Sequence, residues 1–276
     1  MEVVILGHVC IDRNTSERRS YTAAGGPAIF MHAALRQLAA CNVTIVAPYG
    51  DDFVPYARAL PLYPPGPVGE RTLQYENVTN SDQRTQRAYS VDRTDPIPID
   101  GELSDRLRRA DLLFLTPLTP KFPTTYVQAV LNLVPERCVT VLLPQGYLRQ
   151  ISAAGDVTPR TFSEAEALSP LVDAIVVSEQ DAPGMEVLAA TWAARGSVVV
   201  VTTGSSGAVA FTKTERVVIP TTLVPDDEVV DSVGAGDVFS AGFGYRYCAS
   251  QDVRSAVRVG HRLAGKHLRG ELALGV

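Results

Sequence analysis

The chain has 276 residues, of which 46% are hydrophobic and 20% are charged, and its formal net charge at pH 7 is -5. A chain of this length and composition can bury a sizeable core, and we expect one domain that spans residues 1–276. The charge balance gives no basic signature of a nucleic-acid partner, and no apolar run approaches the length of about 20 residues that spans a bilayer.

The cysteines and the first residues indicate the cellular compartment. The chain begins directly with an apolar, strand-like segment at residues 1–7, without the basic region and long apolar stretch of a signal peptide. The cysteines are scattered and form no C-x-x-C pair, so they predict neither a zinc site nor a disulfide framework. They are Cys10, Cys41, Cys138 and Cys248. We therefore expect a cytoplasmic protein with reduced thiols and no membrane partner.

Short apolar runs alternate with longer helical patterns, which favours an α/β fold with a mostly parallel sheet covered by helices. The runs are continuous rather than alternating, as expected for strands buried on both faces. The predicted strands are 3–6, 43–47, 112–116, 139–143, 174–177 and 198–202. The predicted helices are 28–39, 126–133, 163–168, 183–194, 238–248 and 252–269.

One segment departs from this alternation. Residues 71–78 and 84–91 alternate polar and apolar side chains on either side of the turn residues 80–82, which predicts two antiparallel strands. The strands could cover a binding site as a lid, or they could form a plain surface hairpin. We expect a lid within an insertion at about 70–93, and residues 13–22 are a second candidate for the same insertion.

The most specific motif is the run Asp-Ser-Val-Gly-Ala-Gly-Asp from Asp231 to Asp237. Gly234, Ala235 and Gly236 are small, so their amide groups can approach a ligand without obstruction. They lead into a predicted helix, whose N-terminus attracts anions. Asp237 would stand on the first turn as a base beside that anion site. A helix-capping aspartate after a glycine-rich turn is the alternative.

This run resembles the signature of the ribokinase-like (PfkB-type) carbohydrate kinases. The resemblance implies a three-layer α/β/α ribokinase-like (Rossmann-like) fold with a small β-strand lid. It also implies transfer of a phosphoryl group from ATP, with Mg²⁺, to a hydroxyl. Asp237 would be the catalytic base, and the amides of residues 234–236 would form the anion hole. Asp231 would organise the loop or place a monovalent cation such as K⁺.

The resemblance also predicts the acceptor site. Asp12, in the run Gly-His-Val-Cys-Ile-Asp, matches a carboxylate that binds two substrate hydroxyls, and Gly25 and Gly26 match a glycine pair that lets a sugar pack closely. Phe30 stands where many members have an asparagine, so it either contacts a less polar substrate or faces the core. Arg149 follows a predicted strand and resembles an element of the inositol kinase branch. It would neutralise phosphate charge or form a surface ion pair.

The candidate nucleotide-binding residues follow predicted strands or lie on the last helix. A strand that runs into a glycine-rich turn suits a ligand crevice in an open α/β sheet, although a simple hairpin turn explains the same residues. His261 would stack on or hydrogen-bond a base, or it would only pack in the helix. The candidates are Ser178, Thr203, Gly204, Ser206, Gly207 and His261.

Acidic residues after the strand at 174–177 resemble an element that holds magnesium-bound water. Asp181 is the first candidate for this contact, through water, and Glu179 competes with it. Both positions of the family element are changed here, since Ser178 and Asp181 replace its usual Asn and Glu. An acidic cluster that opens a helix requires no metal at all.

The expected function is ATP-dependent phosphorylation of a small polyhydroxylated molecule, a cyclitol or sugar in the first place and a nucleoside in the second. Tyr75, Arg87 and Tyr89 of the lid would exclude water. A kinase of a vitamin-like heteroaromatic alcohol is one alternative, and a non-catalytic ligand-binding relative is another. The expected partners are the acceptor and ATP, with a homodimer formed through the exposed lid edge as a further candidate.

Overall fold

The protein was analysed as a computed structural model, which describes residues 1–16, 20–38, 40–80 and 83–272. Its strands, numbered along the chain, are β1 Glu2–Gly7, β2 Cys10–Ser16, β3 Ser20–Gly25, β4 Asn42–Val46, β5 Leu62–Tyr63, β6 Gln74–Asn80, β7 Gln83–Tyr89, β8 Leu112–Thr116, β9 Val139–Leu142, β10 Arg149–Ile151, β11 Val157–Pro159, β12 Ala174–Ser178, β13 Val198–Thr202, β14 Ala208–Phe211 and β15 Arg216–Ile219. Its helices are α1 Pro27–Leu35, α2 Val54–Ala57, α3 Gly101–Arg109, α4 Thr124–Leu131, α5 Ala165–Leu168, α6 Met185–Ala193, α7 Ala235–Ser250 and α8 Val253–Leu268.

A nine-stranded sheet forms the centre, in the order β15-β14-β13-β12-β9-β8-β1-β4-β5. The strands from β13 to β5 in this order are parallel, and β14 and β15 are antiparallel at one edge. Parallel strands place all their carboxyl ends at one edge of the sheet, where α/β proteins bind ligands. The predicted mostly parallel sheet is confirmed.

Helices cover both faces of this sheet, because successive side chains of a strand point to opposite sides. Ile5 of β1 packs in the core on the side of α1, α7 and α8, whereas its neighbour Leu6 packs on the side of α3, α4 and α6. Both side chains are fully buried. The continuous apolar runs of the sequence are therefore explained by burial on both faces, and the three-layer α/β/α fold is confirmed.

The lid is a four-stranded sheet in the order β3-β2-β6-β7, and it is larger than the predicted hairpin. β2 runs parallel to β6, and the other two pairings are antiparallel. Both candidate insertions thus contribute to one sheet. The predicted turn residues Ser81 and Asp82 lie outside the described residues.

The β10–β11 hairpin, here called the strap, supports the outer edge of the lid. Ala88 of β7 donates its amide to the carbonyl of Gly155 at 2.8 Å. Arg87 forms an ion pair with Asp156, with its Nε 2.9 Å from a carboxylate oxygen. The strap begins at Arg149, so the segment that carries this arginine is attached to the lid.

Several helices differ from the prediction. α2 and α3 were not predicted, although Asp100 caps α3 by accepting the amide of Leu103 at 2.8 Å and Leu107 joins Leu103 in the core. α1 ends at Leu35, four residues before its predicted end, and α5 begins at Ala165, two residues after its predicted start. In the described part of the chain, no helix has both the length and the apolar character needed to cross a membrane.

Candidate active site

The carboxyl edge of the central sheet, the start of α7 and the inner face of the lid meet at one place. The carboxylate of Asp237 interacts electrostatically with Arg149, Asp12 and Asp181. These residues come from α7, the strap, the lid strand β2 and the turn after β12. Residues that the sequence separates by more than 200 positions therefore act on one carboxylate, that of Asp237.

The loop from Asp231 to Gly234 positions Asp237. Asp231 accepts the amide of Val233 at 2.9 Å and the hydroxyl of Tyr21, from the lid strand β3, at 3.2 Å. Gly234 caps α7 in the left-handed region at φ 82°, where glycine is favoured. The carbonyl of Gly234 accepts the first helical hydrogen bond, from Val238. The structure thus shows Asp231 in the loop-organising position.

The amides of the predicted anion hole open the first turn of α7. First-turn amides have no acceptor within their own helix and are available to a ligand. Space beside the Cα of Gly236 is open for 4 Å. The amide of Ala235 also donates to the carbonyl of Ser232, at 3.2 Å. The Ala235 amide therefore already has an acceptor within the turn, whereas the space beside Gly236 remains open.

Burial raises the pKa of Asp237 to about 7. Desolvation is the largest cause, Asp12 and Asp181 raise the pKa further, and Arg149 lowers it. A carboxylate with a pKa near 7 is a stronger base than an ordinary aspartate and is still ionised in half of the molecules at neutral pH. Asp237 is therefore suited to remove a proton from a hydroxyl.

The pKa of Asp237 predicts the pH dependence of turnover. Because a general base must be ionised, kcat/KM should fall about tenfold per pH unit below pH 7 and level off above it. Initial rates measured between pH 5 and pH 9 at constant ionic strength test this. A profile that stays level down to pH 5 would show that no group with a pKa near 7 must be ionised.

Arg149 lies beneath the lid rather than on the open surface. Its guanidinium carbon is 5.5 Å from the ring centre of Tyr75, a geometry that suits a cation–π contact. Tyr75 is buried and donates its hydroxyl to the carbonyl of Leu118 at 2.7 Å. Arg149 lowers the pKa of both Asp181 and Asp237. Its location suits the neutralisation of phosphate charge, the first of the two roles considered from the sequence.

Asp12, Gly25 and Gly26 lie together at the predicted acceptor site. Asp12 is 9% exposed, and the thiol of Cys10 donates to its Oδ1 at 3.4 Å. A Cβ atom on Gly25 would overlap the carboxylate of Asp12. Gly26 precedes α1 at φ 93°, a conformation that few other residues adopt. The glycine pair therefore makes room for the aspartate and for whatever binds it.

Three amide side chains on the inner face of the lid were not predicted from the sequence. Asn14 of β2 pairs with Asn77 of β6, which pairs with Gln86 of β7. Asn14 is two residues along β2 from Asp12 and therefore points to the same face. Asn77 donates to Asn14 at 3.0 Å, and Gln86 donates to Asn77 at 2.7 Å. We call these residues the amide row. Side-chain amides both donate to and accept from hydroxyls. The signal in the sequence is that side chains alternate between the two faces of a strand, so Asn14 must share a face with Asp12.

Of the three lid residues named from the sequence, Tyr75 lies on the inner face and Arg87 and Tyr89 do not. Arg87 is paired with Glu76, and residues next to each other on a strand point to opposite faces. Tyr89 is 40% exposed and donates its hydroxyl to Glu76 at 3.0 Å. Both side chains thus belong to the outer face and edge of the lid.

Phe30 faces the core, which is one of the two alternatives drawn from the sequence. It is 7% exposed and packs edge-on against His267 of α8, with ring centres 5.7 Å apart. A Cβ atom on Gly234 would overlap its ring. Phe30 therefore supports the loop that positions Asp237.

The glycine-rich turn predicted to bind nucleotide connects β13 to the antiparallel β14. Thr203 donates its amide to Gly207 at 2.9 Å, and the short helical turn between them runs from Gly204 to Ser206. Gly207 has φ 110°, and a Cβ atom there would overlap the carbonyl of Ile219. The hairpin alone thus explains Gly207. The open space beside Gly204 leaves room for a ligand.

Ser178 and His261 border this turn. β12 and β13 pair so that Ser178 lies beside Thr202, directly before the turn. The His261 ring is near the backbone of Gly207, and burial lowers its pKa. Both ring nitrogens of His261 are buried without a hydrogen-bond partner among the described residues. His261 therefore lies beside the turn that is predicted to bind nucleotide.

Asp181 and Glu179, the metal candidates, occupy different environments. Asp181 accepts the amide of Ser178 at 2.8 Å, and burial raises its pKa. Glu179 is exposed. Among the described residues, no group of three or more possible ligands is arranged to hold a metal ion. Two carboxylates that repel each other, as Asp181 and Asp237 do, fit Mg²⁺, which retains several waters and takes one or two carboxylates beside substrate phosphates.

The chain is similar to known proteins over most of its length. A model described as pfkB family carbohydrate kinase matches residues 68–270. A cytidine kinase from Thermococcus kodakarensis is 24% identical over 280 residues, covering 98% of this chain and 96% of that protein. A fructokinase from Rhizobium leguminosarum bv. trifolii is 47% identical over 58 residues, 21% of this chain and 17% of that protein. A solved pyrophosphate-dependent kinase of the ribokinase family, complexed with a pyrophosphate analog and myo-inositol, has a TM-score of 0.76 at 16% identity, covering 98% of this chain and 95% of that chain.

Proposed function

Because the chain belongs to the pfkB family of carbohydrate kinases, we propose that it transfers the terminal phosphoryl group of ATP to a hydroxyl of a small polyhydroxylated molecule. The protein is a phosphotransferase with an alcohol group as acceptor. The observation that carries the finer proposal is the convergence of Asp237, Arg149 and Asp12 at the start of α7. The proposed compartment is the cytoplasm, which supplies ATP.

The proposed chemistry follows from the positions of these groups. The carboxylate of Asp12 orients the acceptor through two of its hydroxyls, and the carboxylate of Asp237 takes the proton of the reacting hydroxyl. The first-turn amides of α7 and the guanidinium of Arg149 stabilise the negative charge on the transferred phosphoryl group. The lid keeps out water, which would otherwise compete with the acceptor.

Mg²⁺ would be held by Asp181, mainly through water, with Glu179 as the exposed alternative, and would neutralise charge on the donor phosphates. Asp231 is the candidate for contact with a monovalent cation such as K⁺, in addition to organising the loop. For donor binding we retain the turn from Thr203 to Gly207 and His261.

The amide row supports an acceptor with several hydroxyls. Asp12 and the row lie on one face of the lid, so a ring bound there meets carboxylate and amide groups along one side. These are the groups that recognise hydroxyls in both their donor and acceptor roles. We place sugars and cyclitols first. A heteroaromatic alcohol has less support, since the amide row supplies hydroxyl-binding groups and Phe30 is buried.

A nucleoside is the second candidate acceptor. The cytidine kinase relative matches almost the whole chain, and a nucleoside carries a ribose with adjacent hydroxyls. Phe30 does not oppose this candidate, because its ring packs under Gly234 rather than into the acceptor site.

Release of ADP, measured against a panel of sugars, inositols, nucleosides and pyridoxal-type alcohols, tests the proposed function. We expect one sugar or cyclitol to stimulate release strongly in the presence of Mg²⁺. Strong stimulation by a nucleoside alone would support the second candidate. No stimulation by any acceptor would contradict the kinase proposal and favour a non-catalytic binding protein.

Replacing Asp12 with alanine is expected to raise KM for the acceptor by about 10²-fold or more and leave KM for ATP within about threefold. The reason is that a buried carboxylate bound to two hydroxyls has no substitute among its neighbours. Two-substrate kinetics measure both constants. Arg13→Ala is the matched control, because Arg13 is the adjacent residue and lies on the opposite, exposed face of β2. An equal loss for both substrates would show that Asp12 is structural.

The proposed homodimer would form through the edge strands of the lid. β3 and β7 are the two edge strands of the lid sheet, and the strap pairs with β7 only near Ala88. An edge strand can pair with a second chain, and we expect light scattering after size exclusion to give twice the chain mass of 29.6 kDa. A monomer mass at all protein concentrations would contradict this.

A further inference from the structure

Helix α8 carries an unusual row of positive charge. Arg254, Arg258, Arg262 and Lys266 recur every four residues, and no acidic residue occurs from Val253 to Gly270. Like charges four residues apart destabilise a helix by about 0.2–0.5 kcal/mol per pair, and cations in its first half also oppose the helix dipole. The net charge of the whole chain is -5, so this row is a local exception. The row therefore concentrates positive charge on one exposed face of α8.

Three of these cations line a groove. The groove lies between α8 and the segment after β15, and its volume is about 410 Å³. We define the basic groove by the residues that line it and supply cations or hydroxyls: Thr221, Thr222, Arg258, Arg262, Lys266 and Arg269. Arg254 does not line it. The only acidic residue among the groove's described lining residues is Glu271.

Most of the charge in the basic groove is not neutralised by the protein. Arg269 forms an ion pair with Glu228 at 2.7 Å. Within the described ranges, Arg258, Arg262 and Lys266 form no ion pair and are exposed. A concave surface with three uncompensated cations and two hydroxyls attracts an anion more strongly than a flat surface with the same charge.

His261 joins the basic groove to the turn proposed to bind the donor. It lines the groove, and its ring is near the backbone of Gly207. Because His261 borders both, the groove and the turn belong to one continuous surface beside Gly207.

We propose that the basic groove binds a polyphosphate chain, either inorganic polyphosphate or the phosphates of a nucleotide. This deepens the proposed function, on which it rests, by assigning the cations of α8 to the phosphate donor. An uncharged nucleobase gains little from three cations, whereas each phosphate of a chain carries charge that arginine and lysine bind directly. Attraction of this kind weakens as salt increases.

Calorimetric titration with sodium tripolyphosphate, without acceptor and without magnesium, tests the assignment. We expect the double variant Arg258→Gln, Arg262→Gln to weaken binding at least tenfold, and tenfold more salt to weaken binding to the parent protein. Arg254→Gln is the matched control, since it removes one arginine from the same helix outside the groove, and it should change the Kd less than twofold. Equal weakening by the control and the double variant would overturn the proposal, as would unchanged binding in both.

Titrations with ATP and adenosine identify the source of the phosphates. Loss of affinity for both tripolyphosphate and ATP in the double variant would assign the groove to a nucleotide's phosphates, and loss for tripolyphosphate alone would assign it to inorganic polyphosphate. Adenosine that binds with the same dependence on Arg258 and Arg262 would overturn the proposal in favour of a base site. Because binding is measured without turnover, a protein that binds tripolyphosphate but phosphorylates no acceptor would contradict the proposed function and leave this inference standing.

Discussion

Replacing Asp237 with asparagine is expected to lower kcat by about 10²-fold or more and leave the affinity for ATP nearly unchanged. Asparagine has almost the same shape but cannot take a proton from the acceptor. The first-turn amides of α7, which would bind the phosphoryl group, are part of the backbone and remain in place. The measurement is steady-state turnover with the best acceptor, together with calorimetric binding of ATP.

The stability of this variant separates a catalytic loss from a folding defect. Because the pKa of Asp237 is raised in the folded protein, its ionised form lowers the free energy of unfolding above pH 7. Asparagine removes that cost, so the variant should unfold at the same temperature as the parent or higher at pH 8. Asp226→Asn, at an exposed acidic residue before the loop, is the control for both measurements. Turnover that persists in Asp237→Asn would exclude Asp237 as the base.

Replacing Arg149 with glutamine is expected to lower kcat by about 10²-fold, because charged clamps on a transferring phosphoryl group contribute on that scale. Arg149 is the cation that interacts with Asp181 and Asp237 in the cluster. Its loss leaves carboxylates facing the incoming donor phosphates without a counter-charge. Turnover and KM for ATP, measured at saturating acceptor, give the size of the effect.

The pH profile distinguishes this role from a structural one. Arg149 lowers the pKa of Asp237, so its removal should shift the pH at half-maximal kcat/KM upwards from about 7. Arg149→Lys retains the charge but loses the planar fork, and it should restore the midpoint while recovering only part of the rate. A midpoint that is unchanged in Arg149→Gln would show that the guanidinium does not act on Asp237.

The central fold could be predicted because its signals are local. Each predicted core strand is a continuous run of apolar residues that is visible in the sequence itself. The predicted strand at 198–202, for example, coincides with β13. α3 was missed because its apolar face consists of only Leu103 and Leu107 among charged residues. The cap residue Asp100 and the spacing of the two leucines were visible signals.

The lid and the site show the limit of local patterns. The loop that leads to Asp237 is contiguous, so its glycines and its carboxylate could be identified in one motif. The amide row could not be identified in this way, because Asn14 and Asn77 are 63 positions apart and meet only through a parallel pairing of β2 and β6. The second half of β2 is polar and largely exposed, so its residues carry no apolar pattern that predicts a strand. This half is held by pairing with the other lid strands rather than by burial in the core.

Two tyrosine hydroxyls are among the groups that attach the lid to the body of the protein, and we call these two contacts latches. The hydroxyl of Tyr21 binds Asp231 at the start of the loop, and the hydroxyl of Tyr75 binds the carbonyl of Leu118. Opening the lid to release a phosphorylated product would break both latches, so the dwell time of the product would depend on how fast the lid opens. We therefore expect the rate of the catalytic cycle to be set by product departure, with the bond-making step faster and hidden behind it.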